Sequence, residues 1–330
     1  MSASPRIHGG PDALGAPLHD FSTNRNACGP CPQAWAAVQA ADATRYPDAG
    51  YTALREALAA FHGVEVWRIV LAGSASEFIF RMTAWTKQQG GRSVWLPENG
   101  YGDYAHAAQA WGLQIEKDAD AADLVWACEP SSPLGQAHGR WPAQLGAVVL
   151  DCAYAPLRLS GAPSRSDTQR HALWQLFSPN KALGLTGVRA AYAIAPHDAV
   201  QAAQQLDALA PSWVLGAHGV AMLLAWTQAG TQAWLQSSLQ ILRGWKQRQI
   251  GLLQDAGWTV LPSDTPFFCA QPPVDASALC ARLRAVGIKL RDATSFGLPG
   301  QLRLGVLPPP AQDALLANIT QNTSTMETTV

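Results

Sequence analysis

Lys181 is the residue with the most chemistry to offer. It lies in the run Leu176-Phe177-Ser178-Pro179-Asn180-Lys181-Ala182-Leu183-Gly184-Leu185-Thr186-Gly187-Val188-Arg189, which is otherwise mostly small and apolar. A lysine in apolar surroundings loses the hydration that favours its charged form, so its pKa falls and the neutral amine becomes a nucleophile. Ser178 and Arg189 nearby are what a phosphate group would bind to. Taken alone, the trio also fits a helix-capping serine and two solvated cations. Residues 141–195 contain no other lysine, which weakens that ordinary reading.

The elements around the run decide between the two. Short apolar stretches at Trp67–Ala72, Ser93–Pro97, Leu124–Cys128, Ala147–Leu150 and Trp174–Phe177 read as strands, with Ala190–Ala195 as a return strand. Helices are expected over Pro32–Ala41, Thr52–His62 and Phe78–Gln88, with an alanine-rich one ending at Gly112. Apolar strands alternating with helices argue an α/β fold with a mostly parallel sheet covered on both faces. Ligands of such sheets sit at the carboxyl ends of the strands. The Ser74 turn, Tyr101, Ser132, Asp151 and Ser178 all fall at such ends, so independent polar groups converge on one crevice. The turn Gly73-Ser74-Ala75-Ser76-Glu77, between a strand and a helix, would offer free N–H groups and a positive dipole end to an anion.

Composition bounds the rest. The 330 residues, 48% hydrophobic and 14% charged, suit a globular chain with a sparse charged surface. A net charge of -1 argues against a nucleic-acid or anionic-membrane partner. The first residues lack the apolar core of a secretory signal, and no run approaches the roughly 18 apolar residues of a membrane span, so the cytoplasm is expected. Six irregularly spaced cysteines form no disulfide framework. Cys28-Gly29-Pro30-Cys31 has the spacing of a dithiol motif, but a turn-like stretch precedes it where a strand is required, and no second pair completes a metal site. The expected organisation is an N-terminal arm (1–31), a large domain (32–211), a small α+β domain (212–317) and a disordered tail (318–330). From about Asp198 to Gly257 the pattern is helical; strands near Trp258, Phe267 and Leu302 flank a helix over Ala276–Val286.

Asp151-Cys152-Ala153-Tyr154, Ser178-x-x-Lys181 and Arg189 resemble the fold-type I pyridoxal 5'-phosphate (PLP) aminotransferases of class I/II, and matching motifs extend from about His8 to Pro308. His8-Gly9-Gly10, Phe21-Ser22-x-Asn24-x-Asn26, Arg45-Tyr46-Pro47-Asp48-x-x-Tyr51 and the Trp67–Gly73 stretch are most similar to the threonine-phosphate decarboxylases of cobalamin biosynthesis. Histidinol-phosphate aminotransferases share the broader set.

The resemblance implies PLP as cofactor and a role for each matching residue. Lys181 would bond the cofactor's aldehyde and later shuttle a proton at the substrate Cα. Asp151 would pair with the pyridinium nitrogen and keep it protonated, so that the ring accepts electrons. Tyr154 would donate to the ring 3'-oxygen, and Tyr101 would stack on the ring. Ser74, the backbone of Ala75 and Ser76, Ser178 and Arg189 would hold the cofactor phosphate. Tyr46 would reach the phosphate of the other subunit's cofactor, which implies a homodimer with shared active sites. Arg303 would bind a substrate carboxylate, Arg291 a second anion, and Asn24 and His8 would complete the substrate set. Without the resemblance, the three tyrosines also fit half-buried aromatics, Asp151 a cap and Arg291 surface charge. Arg303, flanked by Leu302 and Leu304, fits the surface least.

Two departures stand out. Glu129-Pro130-Ser131-Ser132-Pro133-Leu134-Gly135 replaces the usual Asn-Pro-x-Asn-Pro-Thr-Gly, so Ser132 stands where an asparagine meets the ring 3'-oxygen; its shorter reach leaves room for a bridging water. Cys152 replaces a glutamate with no direct cofactor role. The implied activity is decarboxylation of L-threonine O-3-phosphate to (R)-1-amino-2-propanol O-2-phosphate, with an aminotransferase of the histidinol-phosphate type as the alternative. The two differ in which substrate bond stands perpendicular to the ring. Rivals from other classes are a catalytically silent binding protein, with Ser132 as a sign of decay, and a dithiol oxidoreductase using Cys28 and Cys31.

Overall fold

A computed structural model describes residues 8–143 and 147–320. Strand β1 (His19–Asp20) and helices α1 (Pro32–Gln39) and α2 (Thr52–His62) lead into β2 (Ile69–Ala72), α3 (Ala75–Gln88), β3 (Ser93–Trp95), α4 (Gly102–Trp111) and β4 (Gln114–Glu116). Next come β5 (Leu124–Cys128), β6 (Val148–Asp151), α5 (Asp167–Arg170), β7 (Trp174–Phe177), β8 (Ala191–Ile194), α6 (Val200–Ala208), α7 (Ala217–Trp226) and α8 (Ala229–Asp255). The chain continues through β9 (Thr259–Val260), β10 (Phe267–Gln271), α9 (Ala276–Ala285), β11 (Ile288–Lys289), β12 (Arg291–Asp292), β13 (Leu302–Gly305) and α10 (Pro309–Thr320).

The large sheet has the order β2-β8-β7-β6-β5-β3-β4, with β8 antiparallel to both neighbours and the other pairings parallel. Its central strands are buried at nearly every position, as both-face coverage demands. Alternation assigns each residue a side. Val70, Trp126, Val149, Trp174 and Leu176 join α3, α4 and α6 in one core; Ile69, Leu71, Tyr192 and Ile194 join α1, α2 and α7 in another. Asp151 has the parity of Val149, which turns it towards α4.

The small sheet, order β12-β13-β10-β9, is antiparallel. The arm ties the two sheets together. β1 pairs with β11, and the Gly305 N–H donates to the Phe21 carbonyl at 2.7 Å. A few residues on, the Asn26 N–H donates to the Lys181 carbonyl at 2.9 Å and the Cys31 N–H to the Leu183 carbonyl at 2.8 Å. Gly29 and Gly184 meet at this crossing. A Cβ on either would lie 2.9 Å from the other's Cα, and Gly184 has φ +68°, so both must be glycine.

Several boundaries correct the sequence expectations. The Ser74 turn is already helical, because the Ser74 hydroxyl accepts the Glu77 N–H at 3.1 Å and α3 begins at Ala75, not Phe78. The arm contains β1, and Gly112–Leu124 contains β4. Asp151 is the last residue of β6 itself, rather than the residue after the strand. Residues 318–320 belong to α10, whose opening prolines suit a first helical turn; residues 321–330 of the expected tail lie outside the described residues. No described helix is long and apolar enough to cross a membrane.

Candidate active site

A cavity of about 1010 Å³ opens at the carboxyl ends of the large sheet, where the arm and the small sheet close over it. Of the residues assigned to cofactor or substrate in the sequence, all but Tyr46 line it. Tyr46 lies outside, 76% exposed, with its ring stacked on Trp213 at 4.4 Å.

The floor is Asp151 and Lys181. Asp151 is buried, and its Oδ1 accepts the Ala153 N–H at 2.9 Å while its Oδ2 accepts the Tyr104 hydroxyl at 2.7 Å. Burial raises its pKa; the Tyr104 bond, the Lys181 charge and the Ala153 N–H pull the other way. Lys181 Nζ donates to Ser178 Oγ at 3.1 Å and sits 5.6 Å from the centre of the Tyr154 ring. Loss of hydration lowers the Lys181 pKa, Asp151 opposes that shift, and Arg189 adds to it. The lysine expected to be a ready nucleophile therefore has the surroundings that make one.

One wall carries groups suited to an anion. The N–H groups of Ala75 and Ser76 open α3 and have no carbonyl within the helix to bond. Ser178, three residues before Lys181, faces the same space, and Arg189 stands exposed at the rim. Tyr101 caps α4, and its hydroxyl lies 3.2 Å from that of Ser76.

The opposite wall comes from the arm and the small sheet. Arg291 and Arg303 are directly opposite across β12 and β13, 4% and 6% exposed, and their guanidiniums lie 4.8 and 5.5 Å from the Phe296 ring centre. Arg303 donates to the Ser22 carbonyl at 2.7 Å, and Arg291 to Ser295 Oγ at 2.6 Å. Burial, and after it the neighbouring Arg303 charge, brings Arg291 down to about 10. Asn24 Nδ2 reaches Tyr154 Oη at 3.4 Å, and the His8 ring lies 6.3 Å from that of Tyr101.

Ser132 is buried in the cavity wall. The loop carrying it hangs on Glu129, whose buried carboxylate takes Arg158 at 2.9 Å and the Ser164 N–H at 2.7 Å. Sequence reasoning treated Glu129 only as a departure, and it passed over Tyr104 and Asn180, which also line the cavity. Tyr104 had one available signal, its place one turn after Tyr101 on the same helix. Cys28 and Cys31 take part in the crossing beneath Lys181, not in the cavity.

The arrangement fits pyridoxal 5'-phosphate. A hydration-poor amine, a buried carboxylate, a helix N-terminus with a serine and an arginine, and an aromatic ring at the mouth match the cofactor's aldehyde, ring nitrogen, phosphate and ring face. The buried Oδ1 atoms of Asn24 and Asn180 have no hydrogen-bond partner among the described residues, and each lies on a residue that lines the cavity.

A family model for aminotransferase class I and II matches residues 16–319. A histidinol-phosphate aminotransferase from Roseobacter denitrificans is 28% identical over 326 residues, covering 89% of this chain and 88% of that protein. Among solved structures, the histidinol-phosphate aminotransferase of Sinorhizobium meliloti in complex with pyridoxal-5'-phosphate is similar with a TM-score of 0.79 at 22% identity, covering 98% of this chain and 96% of the other. The L-threonine-O-3-phosphate decarboxylase of Porphyromonas gingivalis is similar with a TM-score of 0.76 at 19% identity, covering 94% of this chain and 100% of the other. At those identities the structures establish the fold, and the family model establishes membership: the chain belongs to the aminotransferase class I and II family, and its cofactor is pyridoxal 5'-phosphate.

Proposed function

We propose that the chain decarboxylates L-threonine O-3-phosphate to (R)-1-amino-2-propanol O-2-phosphate. The observation that carries the reading is the buried Arg291–Arg303 pair facing the arm. Like charges directly opposite on neighbouring strands repel, and a substrate with a carboxylate and a phosphate would bring an anion to each guanidinium. The arm residues behind the narrower resemblance, His8, Gly9, Ser22 and Asn24, line the same cavity, which supports assigning them to substrate.

When bound, the cofactor supplies an electrophilic carbon and a ring that accepts the electrons of the broken bond. Lys181 provides the amine and then delivers a proton to the substrate Cα. Asp151 keeps the ring nitrogen protonated, and Tyr154 donates to the ring oxygen. Ser178, Arg189 and the start of α3 take the cofactor phosphate. Arg303 takes the carboxylate and Arg291 the second anion, so this pair sets which Cα bond stands perpendicular to the ring.

Amino transfer on histidinol phosphate or a related amine is the second reading. The names of the curated relatives support it better than they support decarboxylation. Purified chain given L-threonine phosphate and no 2-oxo acid is expected to release CO2. No CO2, with turnover of histidinol phosphate that requires a 2-oxo acid, would transfer the conclusion to the second reading.

We also propose a homodimer, with the exposed Tyr46–Trp213 stack turned to the partner's site; sedimentation at twice the chain mass supports it and a monomer removes it. The division at residues 211 and 212 and the cytoplasmic location belong to the same proposal.

A further inference from the structure

Tyr104 is almost wholly buried, at 1% exposure, on the first turn of α4. Its ring stacks on Trp126 of β5, with centroids 4.9 Å apart and planes 13° from parallel. That packing would be served equally well by phenylalanine. The hydroxyl needs its own explanation, because a buried O–H costs free energy unless it is bonded. Its partner is Asp151 Oδ2 at 2.7 Å, while Oδ1 is held by the Ala153 N–H. Asp151 thus has one donor on each oxygen from the protein side, and its remaining lone pairs are left for the cavity. Burial keeps the Tyr104 phenol protonated far above neutral pH, so it remains a donor under all working conditions.

We infer that Tyr104 is a positioning residue for the cofactor: its hydroxyl fixes the rotamer of Asp151 and holds it as an oriented carboxylate facing the ring nitrogen. The stack on Trp126 limits ring motion, so the donor is placed before the cofactor arrives. The inference rests on the reading of Asp151 as the partner of that nitrogen.

The test is a double-mutant cycle on the full chain, read as PLP affinity by absorbance titration, with the pH dependence of the bound-cofactor spectrum as a second readout. Tyr104→Phe is expected to weaken PLP binding about tenfold, the loss of one bond to a charged group, and to shift the spectral titration. Asp151→Asn is expected to weaken binding at least as much. In an Asp151→Ala background, Tyr104→Phe is expected to add nothing, because both acceptor oxygens are gone. Placing 4-aminophenylalanine at position 104 restores a para donor and is expected to recover most of the affinity; it is also the variant to measure if Tyr104→Phe does not fold. Unchanged affinity in Tyr104→Phe, or an equal loss in both backgrounds, would overturn the inference and leave Tyr104 a packing residue. Unchanged affinity in Asp151→Asn would instead overturn the reading of Asp151 beneath it.

Discussion

The two walls of the cavity are built differently. The large-sheet wall takes its groups from strand ends and one helix start, and holds them from within that sheet. Asp151 ends β6, Ser178 follows β7, and Ser74 caps α3. The small-sheet wall takes Arg291 and Arg303 from short antiparallel strands, and Arg303 is steadied by a carbonyl of the arm. The first arrangement suits a cofactor that stays. The second suits a substrate that comes and goes, because the arm is bonded to the small sheet at Gly305 and, through β1, to β11 just before it. The division implies that large-wall variants change the cofactor, and small-wall variants change only the substrate.

The largest expected effect is at Lys181. Lys181→Met should lower turnover on the order of 10⁴-fold, the scale of a lost nucleophile and proton carrier. It should not lower the stability of the cofactor-free chain. The folded-state pKa of Lys181 lies below its ordinary value, so the folded chain resists the proton that the unfolded chain accepts. Replacing the amine removes that conflict. Melting of the cofactor-free proteins at pH 7 checks it; a variant that melts lower would show the lysine to be well accommodated as a cation.

Arg303→Gln comes next and tests the division directly. A lost charge-assisted contact predicts a fall in kcat/KM of about a hundredfold. PLP affinity should stay within about twofold, measured by absorbance titration. Ser178→Ala should do the reverse, weakening PLP several-fold with a smaller change in substrate KM. If Arg303→Gln also releases the cofactor, the two walls are not separate in function.

The large wall was also the legible one. Parallel strands buried on both faces read as continuous apolar runs, and a polar residue that ends such a run stands out, as Asp151 and Ser178 do. The small wall left less in the sequence. β1, β11 and β12 are two residues long, too short for any alternation to register, and they were not foreseen. Arg291 and Arg303 were singled out by resemblance, while their pairing across β12 and β13 depends on a register no local pattern encodes. Tyr104 hid in an alanine-rich helix because its role lies in one hydroxyl, aimed at a residue distant in sequence. Tyr46 stands outside the cavity of its own chain, and its proposed target belongs to another copy.

A third test concerns what supports the large wall from behind. His62 Nε2 lies 2.8 Å from Tyr192 Oη, which in turn accepts the Trp226 indole N–H at 3.1 Å. Indole N–H only donates, so the Tyr192 proton is free to point at His62 Nε2, a bond that a neutral imidazole accepts. Burial lowers the His62 pKa from 6.5 to about 4. The unfolded chain therefore takes up the proton first as pH falls. This contribution is whole above about pH 6.5 and shrinks towards pH 4, by about 2 kcal/mol at pH 5. His62→Gln keeps an acceptor without titrating, so its stability should change less between pH 7 and pH 5 in denaturant unfolding. Equal slopes would remove His62 from the account. KM should not follow this titration, since His62 lies behind the cofactor wall and not on the substrate side.

The smallest effect is expected where the sequence offered a second chemistry. Cys28 Sγ points to the Ser238 carbonyl at 3.8 Å and Cys31 Sγ to Gln33 Oε1 at 3.4 Å, so the two thiols are engaged with different partners. Burial pushes the Cys28 thiol up to about 11, far from the low pKa of a reactive thiolate. Their loop instead supports the main chain at Lys181 and Leu183 from below. The double variant Cys28→Ser, Cys31→Ser should keep turnover within about twofold. It should lose about 1–2 kcal/mol of stability, because a hydroxyl replaces the thiol of fully buried Cys31. Turnover that collapsed while the fold and PLP binding held would restore the dithiol reading. It would also break the division between the walls, because chemistry would then depend on a loop that lines neither.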